Sequence, residues 1–236
     1  MAPTLVFLHE GLGCVSLWRD FPARLAEATG CGALVYSRAG YGRSSPVSLP
    51  RPLDYMEREG TEVLPRVLAA AGIQRALLVG HSDGGSIALV YAGATPARET
   101  LALLLEAPHV FVEERSVTGI EAAVREYRTG DLAARLRRHH GENLEGAFLG
   151  WSGAWLDPAF RRWSLERFLP GVQVPVLLVQ GEDDAYGTAA QVETIARGIA
   201  GPARLRLLPG CGHAPHREQA EPVLAEMAAF VREVLA

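Results

Sequence analysis

The chain predicts an α/β fold, a mostly parallel, doubly wound sheet of about six strands, and three observations predict it. Short apolar runs recur at residues 5–8, 33–36, 76–79, 101–105, 176–179 and 205–208. Most are continuous rather than alternating, as in strands buried on both faces of a parallel sheet. Stretches with helical patterns separate them, and that alternation marks βαβ connections. The rhythm breaks between 107 and 173, where helix-like patterns continue without a convincing strand.

The elements follow in order. The first run enters directly after Pro3, and a helix is expected over 18–28. After the second run, Asp54-Tyr55-Met56-Glu57 fits a capping box, and the helix it opens should continue to Ala71 before Gly72 stops it. The third run leads into a helix reaching about Ala94. Inside the break, 117–127, 132–139 and 144–155 read as helices. Two more are expected over 189–199 and 222–234, the last with proline in its first turn, where a missing N–H does no harm. One domain is expected from 236 residues, its core formed by 1–106 and 174–236. Residues 107–173 form a helical cap insertion over the carboxyl ends of the strands, where open α/β sheets keep their sites.

Apolar residues make up 48% of the chain and charged residues 21%, an ordinary globular composition. A net charge of -4 gives no reason to expect a nucleic-acid partner, and all 23 basic residues are arginine. No apolar run approaches the ~20 residues needed to cross a bilayer. With no basic n-region or cleavage site at the start, the expectation is a cytoplasmic protein without a membrane partner. Cys14, Cys31 and Cys211 are too few and too far apart for a disulfide framework or a metal site, and buried thiols are expected. Neither a metal nor another cofactor is expected, and the oligomeric state is not indicated.

Gly80-His81-Ser82-Asp83-Gly84 lies between the third apolar run and a small-residue helix pattern. It reads as a nucleophile elbow, in which a sharp strand-to-helix turn exposes the serine and brings backbone so close that glycine is needed two positions either side. A serine hydroxyl needs a base to take its proton, a carboxylate to orient that base, and donors for the oxyanion. Glu182, Asp183 and Asp184 follow the fifth run, and His213 and His216 follow the sixth. Serine, acid, histidine is the chain order of one of the three known triad arrangements.

Over nearly its whole length the chain resembles the α/β-hydrolase superfamily, in its serine esterase and lactonase branch. Besides the elbow, the matching pieces are His9-Glu10-Gly11-Leu12-Gly13, Ser37 to Ser44, Gly181 to Asp184, and Gly212-His213. The resemblance implies Ser82 as nucleophile, Asp184 as acid and His213 as base. It implies an oxyanion hole from the amides of Asp83 and Gly11, with Leu12 if the loop is shifted by one. Asp183, Glu182 and Glu106 remain alternatives for the acid. Glu10 stands where the family commonly has glycine. It is expected to point away or to be paired, for instance with an arginine, or else to contact substrate. Only eight residues precede His9, so six strands are expected instead of the family's eight. His216 is expected to hydrogen-bond the loop, while His109, His139 and His140 are assigned no role.

The function expected is hydrolysis of a carboxylic ester or lactone of a small or medium acyl group, with a small molecule as partner and Glu10, Trp151 and Trp155 as substrate contacts. Carbon–carbon bond hydrolysis of ring-cleavage diketones and perhydrolysis use the same triad and are the alternatives. A non-catalytic ligand receptor on the same fold ranks below both, because a receptor need not keep a triad. Serine at the elbow, where haloalkane dehalogenases and epoxide hydrolases of the superfamily carry aspartate, argues against those chemistries. Arg38, Arg135, Arg137 or Arg138 are candidates to hold a substrate carboxylate. The aromatic side chains of the insertion either line a pocket or anchor the cap.

Overall fold

A computed structural model describes residues 2–94 and 99–236. Six parallel strands form one sheet in the order β2-β1-β3-β4-β5-β6. They are β1 (Thr4–Leu8), β2 (Gly32–Val35), β3 (Ala76–His81), β4 (Thr100–Glu106), β5 (Val176–Gly181) and β6 (Ala203–Leu208). Each coincides with one of the six apolar runs. The order reverses direction at β1 and β3, and at such a switch point the loops after neighbouring strands diverge and open a crevice.

Successive strand residues feed opposite faces. Val6, Leu8, Leu78, Leu103, Leu105 and Leu178 pack on one side, beneath the central helices and the helices that follow β4. Leu5, Phe7, Leu77, Val79, Leu104 and Leu177 pack on the other, against α1 (Phe21–Thr29) and the C-terminal helix through Phe21, Leu25, Met227 and Val231. The four inner strands therefore read as unbroken apolar runs. Strand β6 lies at an edge and is only partly buried, and Arg204 and Arg206 on it pair with Glu226 and Glu233.

The helix expected from Asp54 begins at Tyr55 but is not uniform. It consists of α2 (Tyr55–Arg58), a π-helical turn (Glu59–Val63) and α3 (Leu64–Ala70). Pro65 lacks an N–H, so the regular bond back to Thr61 cannot form, and the wide turn just before it accommodates the loss. The capping box is not made. Asp54 caps no backbone group, and its carboxylate instead accepts from Arg58 Nε at 2.9 Å.

Between β4 and β5 run α5 (Glu114–Thr129), α6 (Leu132–His140) and α7 (Leu144–Trp155). Among the described residues of this stretch, the only β-pairing is an isolated bridge between Phe111 and Ser164. Then come α8 (Ala189–Gly198), a short α9 (Pro215–Glu218) that the sequence pattern does not signal, and α10 (Ala220–Leu235), which starts two residues before the expected 222. Among the described residues no helix is long and apolar enough to cross a membrane. Cys14, Cys31 and Cys211 are free and buried, as expected.

Helix α4 (Asp83–Ala94) is buried continuously from Asp83 to Ala92, as befits a central helix with no solvent face. Its start is held very close to the sheet. A Cβ on Gly84 would lie 1.9 Å from the Leu8 carbonyl oxygen, and one on Gly80 would lie 2.6 Å from the Gly84 carbonyl oxygen. These are backbone contacts and cannot be relieved by a rotamer change. Gly84→Ala should therefore lower unfolding free energy by at least ~2 kcal/mol, as overpacking against fixed backbone does. Gly153→Ala on α7, where an added Cβ meets nothing within 4 Å, should raise it by ~0.5–1 kcal/mol. Urea titrations of the two variants test the contrast.

Candidate active site

Ser82 occupies the turn between β3 and α4 with φ of 53°, one of three non-glycine residues in the left-handed region among the described residues. Such dihedrals cost free energy and persist only where the surroundings impose them. Here the Ser82 N–H donates to the Glu106 carbonyl at 2.8 Å, while the Ser82 carbonyl accepts from the Gly85 and Ser86 amides at 2.8 and 3.1 Å. The register that sets His81 beside Glu106 and Leu8 beside Gly80 brings the ends of β1, β3 and β4 to one level.

Of the three carboxylates after β5, Glu182 and Asp183 are exposed and Asp184 is wholly buried. Asp184 Oδ2 accepts from His213 Nδ1 at 2.8 Å and from Gln180 Nε2 at 2.8 Å, and Oδ1 accepts from the Tyr186 amide at 2.7 Å. Burial alone would raise the Asp184 pKa, but the His213 imidazole and these bonds outweigh it and hold the carboxyl well below the usual range. The loop bearing His213 is fixed by a group the sequence does not signal. Glu218 accepts from the Gly212 amide at 2.6 Å and from the Ala214 amide at 3.0 Å, clamping the backbone on both sides of the histidine. The two loops also touch: a Cβ on Gly181 would lie 2.2 Å from the Gly212 carbonyl oxygen. Glu106, the alternative acid, binds His216 Nδ1 at 2.6 Å instead. His216 thus bonds a strand-end carboxylate rather than, as expected, its own loop.

Ser82 and His213 line the same cavity, of about 240 Å3, with Glu10, Gly11, Leu12, Asp83, Trp151 and Trp155 also in its wall. Among the described residues the Ser82 hydroxyl makes no hydrogen bond, to His213 or to any other group. The Gly11 amide likewise has no protein partner among the described residues, and the Asp83 amide, in the first turn of α4, belongs to the group that a helix start leaves free. Gly11 admits no side chain, since a Cβ would sit 2.2 Å from the Trp151 ring. The Asp83 carboxylate accepts from the Tyr55 hydroxyl at 2.5 Å, and that hydroxyl accepts from Trp155 Nε1 at 3.1 Å. Burial raises the Asp83 carboxyl pKa, with Arg38 partly opposing.

Arg38 does not face the cavity. Buried, it donates to the carbonyls of His9 and Glu10 (3.2 Å for the latter), so the loop after β1 is held from below. Arg135 pairs with Asp131, and none of Arg38, Arg135, Arg137 and Arg138 lines this cavity. Of the aromatic residues in the insertion, Trp151 and Trp155 reach it, whereas Phe148 stacks on Tyr127 and Phe160 on Trp163. His140, which the sequence leaves without a role, accepts from the Gly42 amide at 3.0 Å and donates to the Leu12 carbonyl at 2.9 Å, tying α6 to the loop after β1. His109 also lines the cavity.

Glu10 is paired with His81 rather than with an arginine, at 3.5 Å from Nδ1, while His81 Nε2 donates to the His213 carbonyl at 2.6 Å. The contact joins the loop after β1, the elbow and the histidine loop. Burial lowers the His81 pKa, but Glu10, with help from Glu106 and the His213 carbonyl, pushes it up to about 9. Because this lies above the ordinary histidine value of ~6.5, the pair's contribution to stability is fully present below about pH 6.5 and is lost as pH rises through about 9. Wild-type Tm should accordingly fall more between pH 6.5 and 9.5 than that of His81→Gln; parallel decline of the two would show that the pair contributes nothing.

A family model described as the alpha/beta hydrolase family matches residues 5–226. The chain is 27% identical over 261 aligned residues to the 2-succinyl-6-hydroxy-2,4-cyclohexadiene-1-carboxylate synthase of Enterobacter sp. (strain 638), covering 98% of this chain and 92% of that one. It is 23% identical over 261 residues to the bifunctional esterase/perhydrolase DCH of Acinetobacter calcoaceticus, with 97% and 91% covered. The crystal structure of the enol-lactonase from Burkholderia xenovorans LB400 superposes with a TM-score of 0.74 at 22% identity, over 98% of this chain and 92% of that one. The six-stranded parallel sheet, the elbow and a family model spanning nearly the whole sequence agree: the chain belongs to the alpha/beta hydrolase family.

Proposed function

We propose that this protein is a serine hydrolase of carboxylic esters or lactones, with Ser82, His213 and Asp184 as its triad. The observation that carries this reading is the His213–Asp184 hydrogen bond in the wall of the cavity that also holds Ser82 on its strained turn. Asp184 accepts the Nδ1 proton of His213, which leaves Nε2 as the basic nitrogen. His213 Nε2 takes the Ser82 proton as Oγ attacks the substrate carbonyl, and the carbonyl oxygen becomes an oxyanion. The amides of Asp83 and Gly11 are the donors for it; being backbone, they need no reorganisation as charge develops. The protonated imidazole then releases the leaving alcohol, giving an acyl-enzyme. Water activated by His213 attacks the ester carbonyl and frees the acid and Ser82.

Ser82 and His213 lie in one cavity without a hydrogen bond between them, and catalytic hydrogen bonds of this kind commonly tighten only in the substrate complex. A cavity of about 240 Å3 is small beside the ~300–1,000 Å3 of sites for drug-sized ligands, so a short acyl or lactone fits it best. In the same reading residues 107–173 act as a cap, with Trp151 and Trp155 as the apolar roof over the substrate. The two relatives, named as a synthase and as an esterase/perhydrolase, lie within the range such a site supports.

Short p-nitrophenyl esters and lactones should turn over, and Ser82→Ala should lose at least about a thousandfold in rate, with a residue from binding and the oxyanion amides. A fluorophosphonate should label wild type at Ser82. Equal turnover by the two proteins rejects the reading, and hydrolysis of a vinylogous diketone but not of esters transfers it to carbon–carbon bond cleavage. Asp184→Asn should cost at least ~10³ in kcat through loss of the imidazole's orientation, whereas Asp183→Asn, at an exposed position, should stay within about threefold of wild type.

A further inference from the structure

The loop after β4 carries a second buried imidazole into the cavity. His109 is 2% exposed and lies in the cavity wall. Its ring centroid is 5.8 Å from that of His213 and 5.2 Å from that of Trp155. Neither ring nitrogen has a hydrogen-bond partner among the described residues, and Nδ1 is buried outright. A buried polar atom left unpaired costs free energy that an apolar side chain of similar shape would not. Packing alone is therefore a poor account of a histidine here.

The backbone that aims this ring is strained and clamped. Ala107 has φ of 45°, an unusual dihedral for a residue with a Cβ. Ser86, one turn beyond Ser82 on α4, donates to the His109 carbonyl at 2.6 Å and accepts from the His109 amide at 3.2 Å. Gln191, fully buried on α8, accepts from the Val110 amide at 2.8 Å. The helix that follows the candidate nucleophile thus also fixes the backbone position of His109.

We propose that His109 is a substrate-recognition residue, hydrogen-bonding an uncharged hydroxyl or carbonyl that the ester carries beyond its scissile group. The proposal rests on the serine-hydrolase reading and narrows its substrate class to hydroxylated or oxo-substituted short esters and lactones. Burial, with His213 adding to it against the opposing pull of Asp184 and Glu113, lowers the His109 pKa to about 4. At neutral pH the ring therefore carries no charge, and with Nδ1 buried outright it is Nε2 that can meet a ligand, as donor or acceptor according to the tautomer, which suits a hydroxyl or carbonyl better than a carboxylate or an ammonium group.

The test is a pair of near-isosteric substrates. p-Nitrophenyl 3-hydroxybutyrate is compared with p-nitrophenyl 3-methylbutyrate, and 2-hydroxypropyl butyrate with isobutyl butyrate, so that the polar group is presented on either side of the scissile bond. Wild type should favour the hydroxylated member of at least one pair by about tenfold in kcat/KM, since a site built to pair a hydroxyl rejects the analogue lacking it. That ratio should fall to about one in His109→Phe and His109→Leu and be partly kept in His109→Gln. Damage to folding lowers both rates of a pair together and leaves the ratio unmoved. Binding of 3-hydroxybutyramide against 3-methylbutyramide, followed by tryptophan fluorescence, repeats the comparison without turnover. If Ser82→Ala matches wild type, the hydrolase reading fails while the binding measurement still decides the role of His109. No hydroxyl preference in wild type by either route, or a preference that survives both apolar variants, overturns the proposal.

Discussion

The close approach of β1, β3 and α4 at the elbow is the constraint on which the rest of the site depends. Gly80 and Gly84 allow backbone to meet backbone at distances no side chain tolerates, and Ser82 between them is driven to φ of 53°. Through the same approach the start of α4 lies beside the end of β1, so the free amide of the helix start and the Gly11 loop come to one cavity. Ser86 then carries the order one turn further by gripping the loop after β4. A looser elbow would move three loops at once.

Electrostatics around the elbow are organised as carboxylate–imidazole pairs from different strand ends. Asp184 holds His213, Glu106 holds His216, and Glu10 holds His81, which in turn holds the His213 backbone. The two inner carboxylates, Asp184 and Glu106, are fully buried. A buried carboxylate needs partners to offset the loss of water. Asp184 and Glu106 are therefore each committed to one imidazole, and the presence of several acids and several histidines in the sequence does not lead to promiscuous pairing. Glu10, in a position that looks hostile to an oxyanion, is balanced by the cation it helps to maintain on His81.

The sheet was legible because its inner strands are buried on both faces, which writes unbroken apolar runs into the sequence. Helices were legible wherever a buried stripe repeats, as in 144–155. Local cues failed where they had a competitor. Asp54 had the right spacing for a cap, yet Arg58 one turn later draws its carboxylate away from the backbone. Pro65 sits inside a helical pattern, and the widened turn it requires leaves no trace in hydrophobic periodicity. Helix α9 is a single turn, too short for any period to register.

By itself the sequence determined the strand count and the elbow motif around Ser82, because apolar runs and glycine spacing are local properties of the chain, while Asp184 and His213 were candidates by family resemblance, with Glu182, Asp183 and Glu106 left open for the acid. Tertiary structure alone decided which carboxylate meets which histidine, that Glu10 turns to His81, that Glu218 clamps the loop of His213, and that His109 enters the cavity. Those outcomes depend on strand register and on loops from distant segments meeting at one rim, and a contact across a hundred residues has no periodicity from which to be read.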